Sequence, residues 1–280
     1  MLNNLLAQFK IRKEKHLKAN RIKVVALDYK SDNVGHVAES VSANEFLGFK
    51  ISNILEEHEI DELLQIESHL PIDTNWSSNA RTWPNSIYEF LYLNNQTLEQ
   101  KNGERNELNR ILNKNLTFNF IDKMKTVLSS FNNGNPVIER TFRDNISSPF
   151  ISFRYVDKGN EGFPVHCENR HITSCNEKNE HIGKGKIPLN CLSYFFVLQE
   201  AEGGGLMVYD INWEESIKYK WSPKKIKRIG KTKVDLKRGD LFFFSAGQIW
   251  HEILPGFDKS RVTAGAFLKT NMKNELEVWV

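Results

Sequence analysis

The apolar positions of this chain change period part-way along. Up to about Asn145 they recur at helical spacing within an Asn-, Glu- and Lys-rich background. Glu45 to Ile51 reads as a strand. Glu56 to Leu70 reads as a helix, with Ile60, Leu63, Leu64 and Ile66 on its buried side and Pro71 as its stop. A second helical stretch is expected from about Glu107 to Phe131, with Leu108, Ile111, Leu112, Ile121, Met124, Val127, Leu128 and Phe131 as its stripe. Asn133-Gly134 followed by Pro136 ends it.

From Ser148 onward the chain is aromatic, β-branched and punctuated by glycine. Short strands are expected over 150–156, 163–168, 191–199, 206–209, 232–236, 240–245, 249–254 and 262–269. Turn signals separate most of them: Lys158-Gly159-Asn160, Gly203-Gly204-Gly205, Arg238-Gly239-Asp240, Ala246-Gly247 and Pro255-Gly256. Strands at this spacing suggest a sandwich or barrel. The fold class is therefore mainly β with helices, the helices packing on one outer face. The expected organisation is a single unit over 1–280, helix-rich through 145 and β-rich from 146.

Composition narrows the function. The 280 residues are 40% hydrophobic, 11% aromatic and 26% charged, with a net charge of +3; this is a globular balance, too even to argue nucleic-acid binding by itself. Mean hydropathy is −0.49, and no apolar run approaches the ~20 residues of a spanning helix. Three cysteines do not make a disulfide framework and suit a reduced, cytoplasmic setting. The first 18 residues read as a short amphipathic surface helix rather than a secretory signal.

Candidate chemistry begins at His166-Cys167-Glu168, on an expected strand. Period-two alternation would put His166 and Glu168 on one face. Such a pair is often just a solvated face, but it is also two-thirds of a facial metal site. His251, in Gln248-Ile-Trp-His251-Glu-Ile-Leu254, is the candidate third ligand. Two histidines and one carboxylate leave three positions open on a metal, which suits non-haem Fe(II) and O₂. Arg261 and Thr263 share a face of the next strand; a guanidinium fork and a hydroxyl could anchor the far carboxylate of a keto-acid cosubstrate. Alternatively Arg261 is a surface charge pairing with Asp258 or Glu252. Arg154, on the strand before the first ligand, could face the cosubstrate or a substrate carboxylate.

The order His-x-Glu, His, Arg-x-Thr resembles the Fe(II)/2-oxoglutarate-dependent oxygenases with a double-stranded β-helix (jelly-roll, cupin-like) core. The segments that carry the likeness are 163–168, 192–210, 238–244 and 251–263. Within that superfamily the chain is most similar to carrier-protein-independent oxygenases and halogenases of indole alkaloids and other small natural products. The resemblance implies Fe(II) on His166, Glu168 and His251, 2-oxoglutarate on Arg261 and Thr263 with Arg154 as a further candidate, and O₂ at the remaining position. Succinate and CO₂ are the implied coproducts. It also implies a pocket role for Ser193, whose alternative is a hydroxyl bonded to neighbouring backbone. The halogenases carry Gly or Ala where this chain has Glu168. A carboxylate there takes the halide's place, so hydroxylation or another oxidation is expected.

The remaining features have competing readings. Cys167, His171, Cys175, His181 and Cys191 cluster without zinc spacing, and 170–186 reads as a mobile loop. The basic stretch 218–238, with Tyr219 and Trp221, could be a nucleic-acid surface or a lysine-guarded hairpin edge. Arg81 and Trp83 are guesses at substrate contacts. The partner expected is a small molecule, with neither membrane nor nucleic acid; the alternatives are an oxygenase of a macromolecule, acting through the basic stretch, and a non-catalytic jelly-roll binding module.

Overall fold

A computed structural model describes residues 24–71, 75–77, 80–84, 98–142, 146–182 and 187–280. The expected amphipathic helix at residues 1–18 lies outside them. The helix-rich part contributes strands β1 (Val24–Asp28), β2 (Gly48–Ser52), β3 (Asn75–Ser77) and β4 (Ala80–Trp83), then β5 (Val137–Glu139), β6 (Thr141–Phe142) and β7 (Ile146–Ser147). The core follows as β8 (Ser152–Val156), β9 (Phe163–His166), β10 (Leu192–Gln199), β11 (Gly205–Asn212), β12 (Lys231–Val234), β13 (Leu241–Phe244), β14 (Ile249–Leu254) and β15 (Arg261–Thr270). β16 (Leu276–Trp279) closes the chain.

The eight core strands correspond to the eight expected. The major sheet runs β1-β2-β13-β10-β15-β8-β4-β3, with β16 on β15 and β5 on β16; the minor sheet runs β12-β11-β14-β9. Along the chain the core strands step between the sheets, and the β11–β12 hairpin reverses the path. This is the double-stranded β-helix.

Period-two alternation divides the major sheet's side chains between two cores. Phe153, Tyr155, Tyr194, Phe196, Leu198, Leu241, Phe243, Val262, Ala264 and Ala266 face outward and pack with Leu108, Met124, Leu128 and Phe131 of the helices. Phe195, Val197, Phe242, Phe244 and Phe267 face inward against Leu206, Val208 and Ile249 of the minor sheet. Residues next to these inward positions on the same strands therefore sit between the sheets. The helices cover the outer face of the major sheet, as expected from their stripes.

Three local expectations are corrected. The stretch from Glu107 to Phe131 is two helices, Leu98–Asn115 and Phe120–Phe131. Asn119 caps the second by accepting from the Asp122 amide at 3.1 Å. The break is also tied down by the Glu62 carboxylate, which accepts from the Thr117 amide and hydroxyl at 2.8 and 2.7 Å. Periodicity alone runs through such a break because Ile121 and Met124 fall back in phase. The expected loop 170–186 is helical as far as residue 182, in the helix Glu168–Ile182, and 183–186 lie outside the described residues. Its polar composition hides a narrow apolar edge, Ile172 and Cys175, buried between the sheets. Third, the strand carrying His166 ends at that residue instead of continuing to Glu168.

The basic stretch forms short helices, Trp213–Lys218 and Pro223–Ile226, and then edge strand β12, which exposes Lys231, Thr232 and Lys233. Trp221 and Ile226 pack with Trp250 and Tyr209 on the outer face of the minor sheet. Lys227 pairs with Glu252 at 3.3 Å, and Arg238 pairs with Glu57 and Asp61. Among the described residues no helix is long and apolar enough to cross a membrane.

Candidate metal and cosubstrate site

His166 and His251 are register partners across β9 and β14. Their rings lie 4.2 Å apart between centroids. Each Nδ1 stands against a backbone carbonyl, Pro164 at 2.7 Å and Ile249 at 2.8 Å. A carbonyl only accepts, so each Nδ1 carries the proton and each Nε2 presents its lone pair. Burial pushes His166 well below the usual imidazole range and His251 down to about 4. Both rings are thus neutral, the form that binds a metal.

Glu168 reaches the same point by a different route from the one alternation suggests. The chain leaves β9 at His166, turns at Cys167, and Glu168 opens the following helix. Its carboxylate therefore sits at the positive end of the helix dipole. The corner is seated on the β13–β14 turn. The Glu168 amide donates to the Ala246 carbonyl at 3.1 Å, and the Cys167 thiol donates to the Gly247 carbonyl at 2.7 Å. A Cβ on Gly247 would come within 2.7 Å of the Cys191 amide nitrogen and 2.9 Å of Asn169 Oδ1. Only glycine allows this approach. Glu168 Oε1 stands 3.6 Å from His166 Nε2, and the ligand atoms of all three residues lie within 4.8 Å of one another. Nitrogen and oxygen donors with both imidazole lone pairs free fit a divalent first-row metal.

The three groups line an open pocket, together with Arg154, Ser193, Arg261 and Thr263. Every metal and cosubstrate candidate from the sequence is therefore in one place. The walls are Phe195, Leu206, Phe244, Ile253 and Phe267, inward positions whose role the sequence alone did not mark. Arg261 is 4% exposed and lies over the Phe195 ring, 5.5 Å from its centroid. Burial and the like charge of Arg154 lower it to about 10, so it stays cationic near neutral pH. Among the described residues no carboxylate pairs with it, which excludes the surface-pair reading with Asp258 or Glu252. The Ser193 hydroxyl lines the pocket while donating to the Ala266 carbonyl at 3.2 Å.

Arg81 and Trp83 are not brought to the pocket. The Arg81 guanidinium donates to Asp157 at 2.7 and 2.9 Å and to Glu67 at 2.9 Å, and it lies over the Tyr155 ring. Trp83 is buried in the outer core. Alternation along β4 turns both away from the inner face and leaves Thr82 on it. His171, one turn into the helix after Glu168, packs its ring 5.7 Å from His166.

A jelly roll with two neutral imidazoles and a carboxylate across from a buried arginine defines an Fe(II)/2-oxo-acid oxygenase. The chain belongs to the family of the carrier-protein-independent halogenase WelO5, whose profile matches residues 25–279. It is an Fe(II)/2-oxoglutarate-dependent oxygenase, with O₂ as the second cosubstrate. None of the curated proteins matches it in sequence. The fold is similar to that of an N-substituted L-amino acid dioxygenase from Burkholderia ambifaria AMMD, at 15% identity and a TM-score of 0.56, over 88% of this chain and 91% of that one. The same enzyme in complex with alpha-KG gives a TM-score of 0.55 over the same shares.

Proposed function

We propose that the protein hydroxylates, or otherwise oxidises, a small molecule and does not halogenate it. The observation that carries this reading is the Glu168 carboxylate, grouped with His166 and His251 in the pocket that Arg261 also lines. His166 and His251 offer Nε2 and Glu168 offers a carboxylate oxygen, so three protein ligands hold the iron. A halide that needs the third place finds a carboxylate there.

Bound iron supplies activation of O₂ and coupled oxidative decarboxylation of 2-oxoglutarate to succinate and CO₂. The protein's own contribution is binding and orientation. Arg261 takes the far carboxylate of 2-oxoglutarate through paired N–H donors, and Thr263, on the same face of β15, adds its hydroxyl. Ser193 lines the same pocket, its proton given to Ala266, so its oxygen can accept from a ligand. Phe195, Phe244, Phe267, Leu206 and Ile253 keep water from the reacting centre. The whole chain acts as one oxygenase unit, and its three buried free thiols suit a cytoplasmic setting.

The test is succinate formation over a panel of small metabolites, with product masses read in high chloride. A product that gains oxygen supports the reading. A chlorinated main product refutes it.

A further inference from the structure

The helix Glu168–Ile182 is laced along one side to the segment that leads into β10. Asn176 and Ile187 exchange a pair of bonds: the Ile187 amide donates to Asn176 Oδ1, and Asn176 Nδ2 donates to the Ile187 carbonyl, each at 2.8 Å. About two turns nearer the helix start, Asn169 makes a similar exchange with Asn190. The Asn190 amide donates to Asn169 Oδ1, and Asn169 Nδ2 donates to Asn190 Oδ1, each at 2.7 Å. A backbone amide only donates, so the Asn169 side chain has one orientation.

Asn190 also holds the approach to the other ligand strand. Gln248 Nε2 donates to the same Asn190 Oδ1 at 2.7 Å, and Gln248 stands just ahead of β14 and His251. The backbone closes in around this point. The Gly247 amide donates to the Cys191 carbonyl at 2.8 Å, and a Cβ on Gly247 would come within 2.9 Å of Asn190 Cα. One side-chain oxygen thus joins the residue after Glu168, the turn before His251 and the start of β10. Asn169 and Gln248 are 1% and 7% exposed. Water reaches their amides poorly, so losing the shared acceptor costs both. Asn190 itself is exposed, with φ of 58°. That left-handed conformation suits asparagine, and glycine adopts it freely.

We propose that Asn190 is a positioning residue for the metal ligands, its side-chain oxygen setting the Glu168 carboxylate relative to the His251 imidazole. This rests on the reading of His166, Glu168 and His251 as the ligands. His166 and His251 share a sheet, and strand pairing fixes their spacing. Glu168 arrives on a helix, so no strand register ties it to His251. Asn190 spans that gap by bonding a near chain neighbour of each. Contacts of this kind govern the affinity and geometry of a metal site without touching the metal.

The experiment titrates Co(II), and separately Fe(II) without oxygen, into the full chain freed of metal. The visible d–d bands of Co(II) report ligand number and geometry. Asn190→Gly removes the oxygen and leaves the backbone conformation unstrained. Its metal-free thermal midpoint should stay within about 4 °C of the unmodified protein. Its Fe(II) affinity should fall about tenfold or more, and its Co(II) bands should change. Asn190→Asp keeps an acceptor oxygen in place, with the added charge at the surface, and should restore the bands and most of the affinity. Gln248→Met deletes one donor at similar length and should alter the Co(II) bands in the same sense. Asn190→Gly with unaltered Co(II) bands, or Asn190→Asp that behaves like Asn190→Gly, would overturn the proposal. If Asn190→Gly does not fold, Gln248→Met decides, and unaltered bands there overturn it. If the unmodified protein gives no saturable Co(II) spectrum, the ligand reading fails and this proposal falls with it; a normal spectrum in the unmodified protein and in every variant sinks this proposal alone.

Discussion

His166 and His251 face each other directly across β9 and β14, and each gives its Nδ1 proton to a carbonyl two residues before it, on its own strand. The same local bond, made twice, aims two Nε2 lone pairs into one pocket. Ring orientation is thus fixed by backbone before any metal arrives. Replacing either histidine removes a ligand without disturbing Arg261 on the opposite sheet. His166→Ala and His251→Ala should each abolish the Fe(II)–2-oxoglutarate absorption band, with the far-ultraviolet dichroism of the fold retained.

Arg261 is expected to act on cosubstrate far more than on iron. Truncating a buried partner of a bidentate carboxylate costs about 2–5 kcal/mol, so Arg261→Leu should raise the apparent Kd of 2-oxoglutarate roughly thirtyfold or more. Titration at saturating Fe(II) checks this. An unchanged affinity would move the anchor to another residue of the pocket.

Gly247 is expected to be intolerant of a side chain. Its Cβ would press on the Cys191 amide and on Asn169 Oδ1, which itself accepts from the Asn190 amide at 2.7 Å. Backbone cannot retreat as a flexible side chain can. Gly247→Ala should cost about 1–3 kcal/mol in urea denaturation. It should also weaken Fe(II) binding, because the Cys167–Glu168 corner sits on this turn.

Arg81 is expected to matter for stability, with a defined pH dependence. Its bonds to Asp157 hold that carboxyl below its usual range. A carboxylate depressed in the folded state stabilises at pH above its unfolded value, near 3.8. That stabilisation is lost as pH falls through the lower, folded value. Arg81→Ala should therefore lower stability by about 1 kcal/mol at pH 7, as a partly exposed but bidentate pair does. The difference from the unmodified protein should shrink below about pH 4. Denaturant midpoints measured from pH 7 down to pH 3 would show it, and a difference that does not change with pH would detach the effect from Asp157.

The jelly roll is legible in the sequence because most core strands are short, aromatic or β-branched, and set apart by glycine or proline turns. The ligand set is legible in part because His166 and His251 fall on two neighbouring strands. Glu168 illustrates the boundary. Alternation gives the right side of the sheet for the wrong reason, since the strand stops at His166 and a helix delivers the carboxylate. Nothing local marks that stop: Cys167 and Asn169 act through Gly247 and Asn190, far along the chain. Arg81 and Thr82 show the same limit. Which of two adjacent residues on β4 shares a face with Arg154 depends on the register of β4 with β8, and a sequence does not print register. The Glu168–Ile182 helix escapes because, among the described residues, its apolar buried edge is only as wide as Ile172 and Cys175.

Whether Glu168 holds the place a halide would need is tested by chloride binding, without knowledge of the substrate. The protein is loaded with Fe(II) and 2-oxoglutarate in the absence of oxygen, and chloride is titrated at constant ionic strength while the visible band is followed. The unmodified protein's band should not move, and Glu168→Gly should gain a saturable chloride-dependent shift. A saturable shift in the unmodified protein would contradict it.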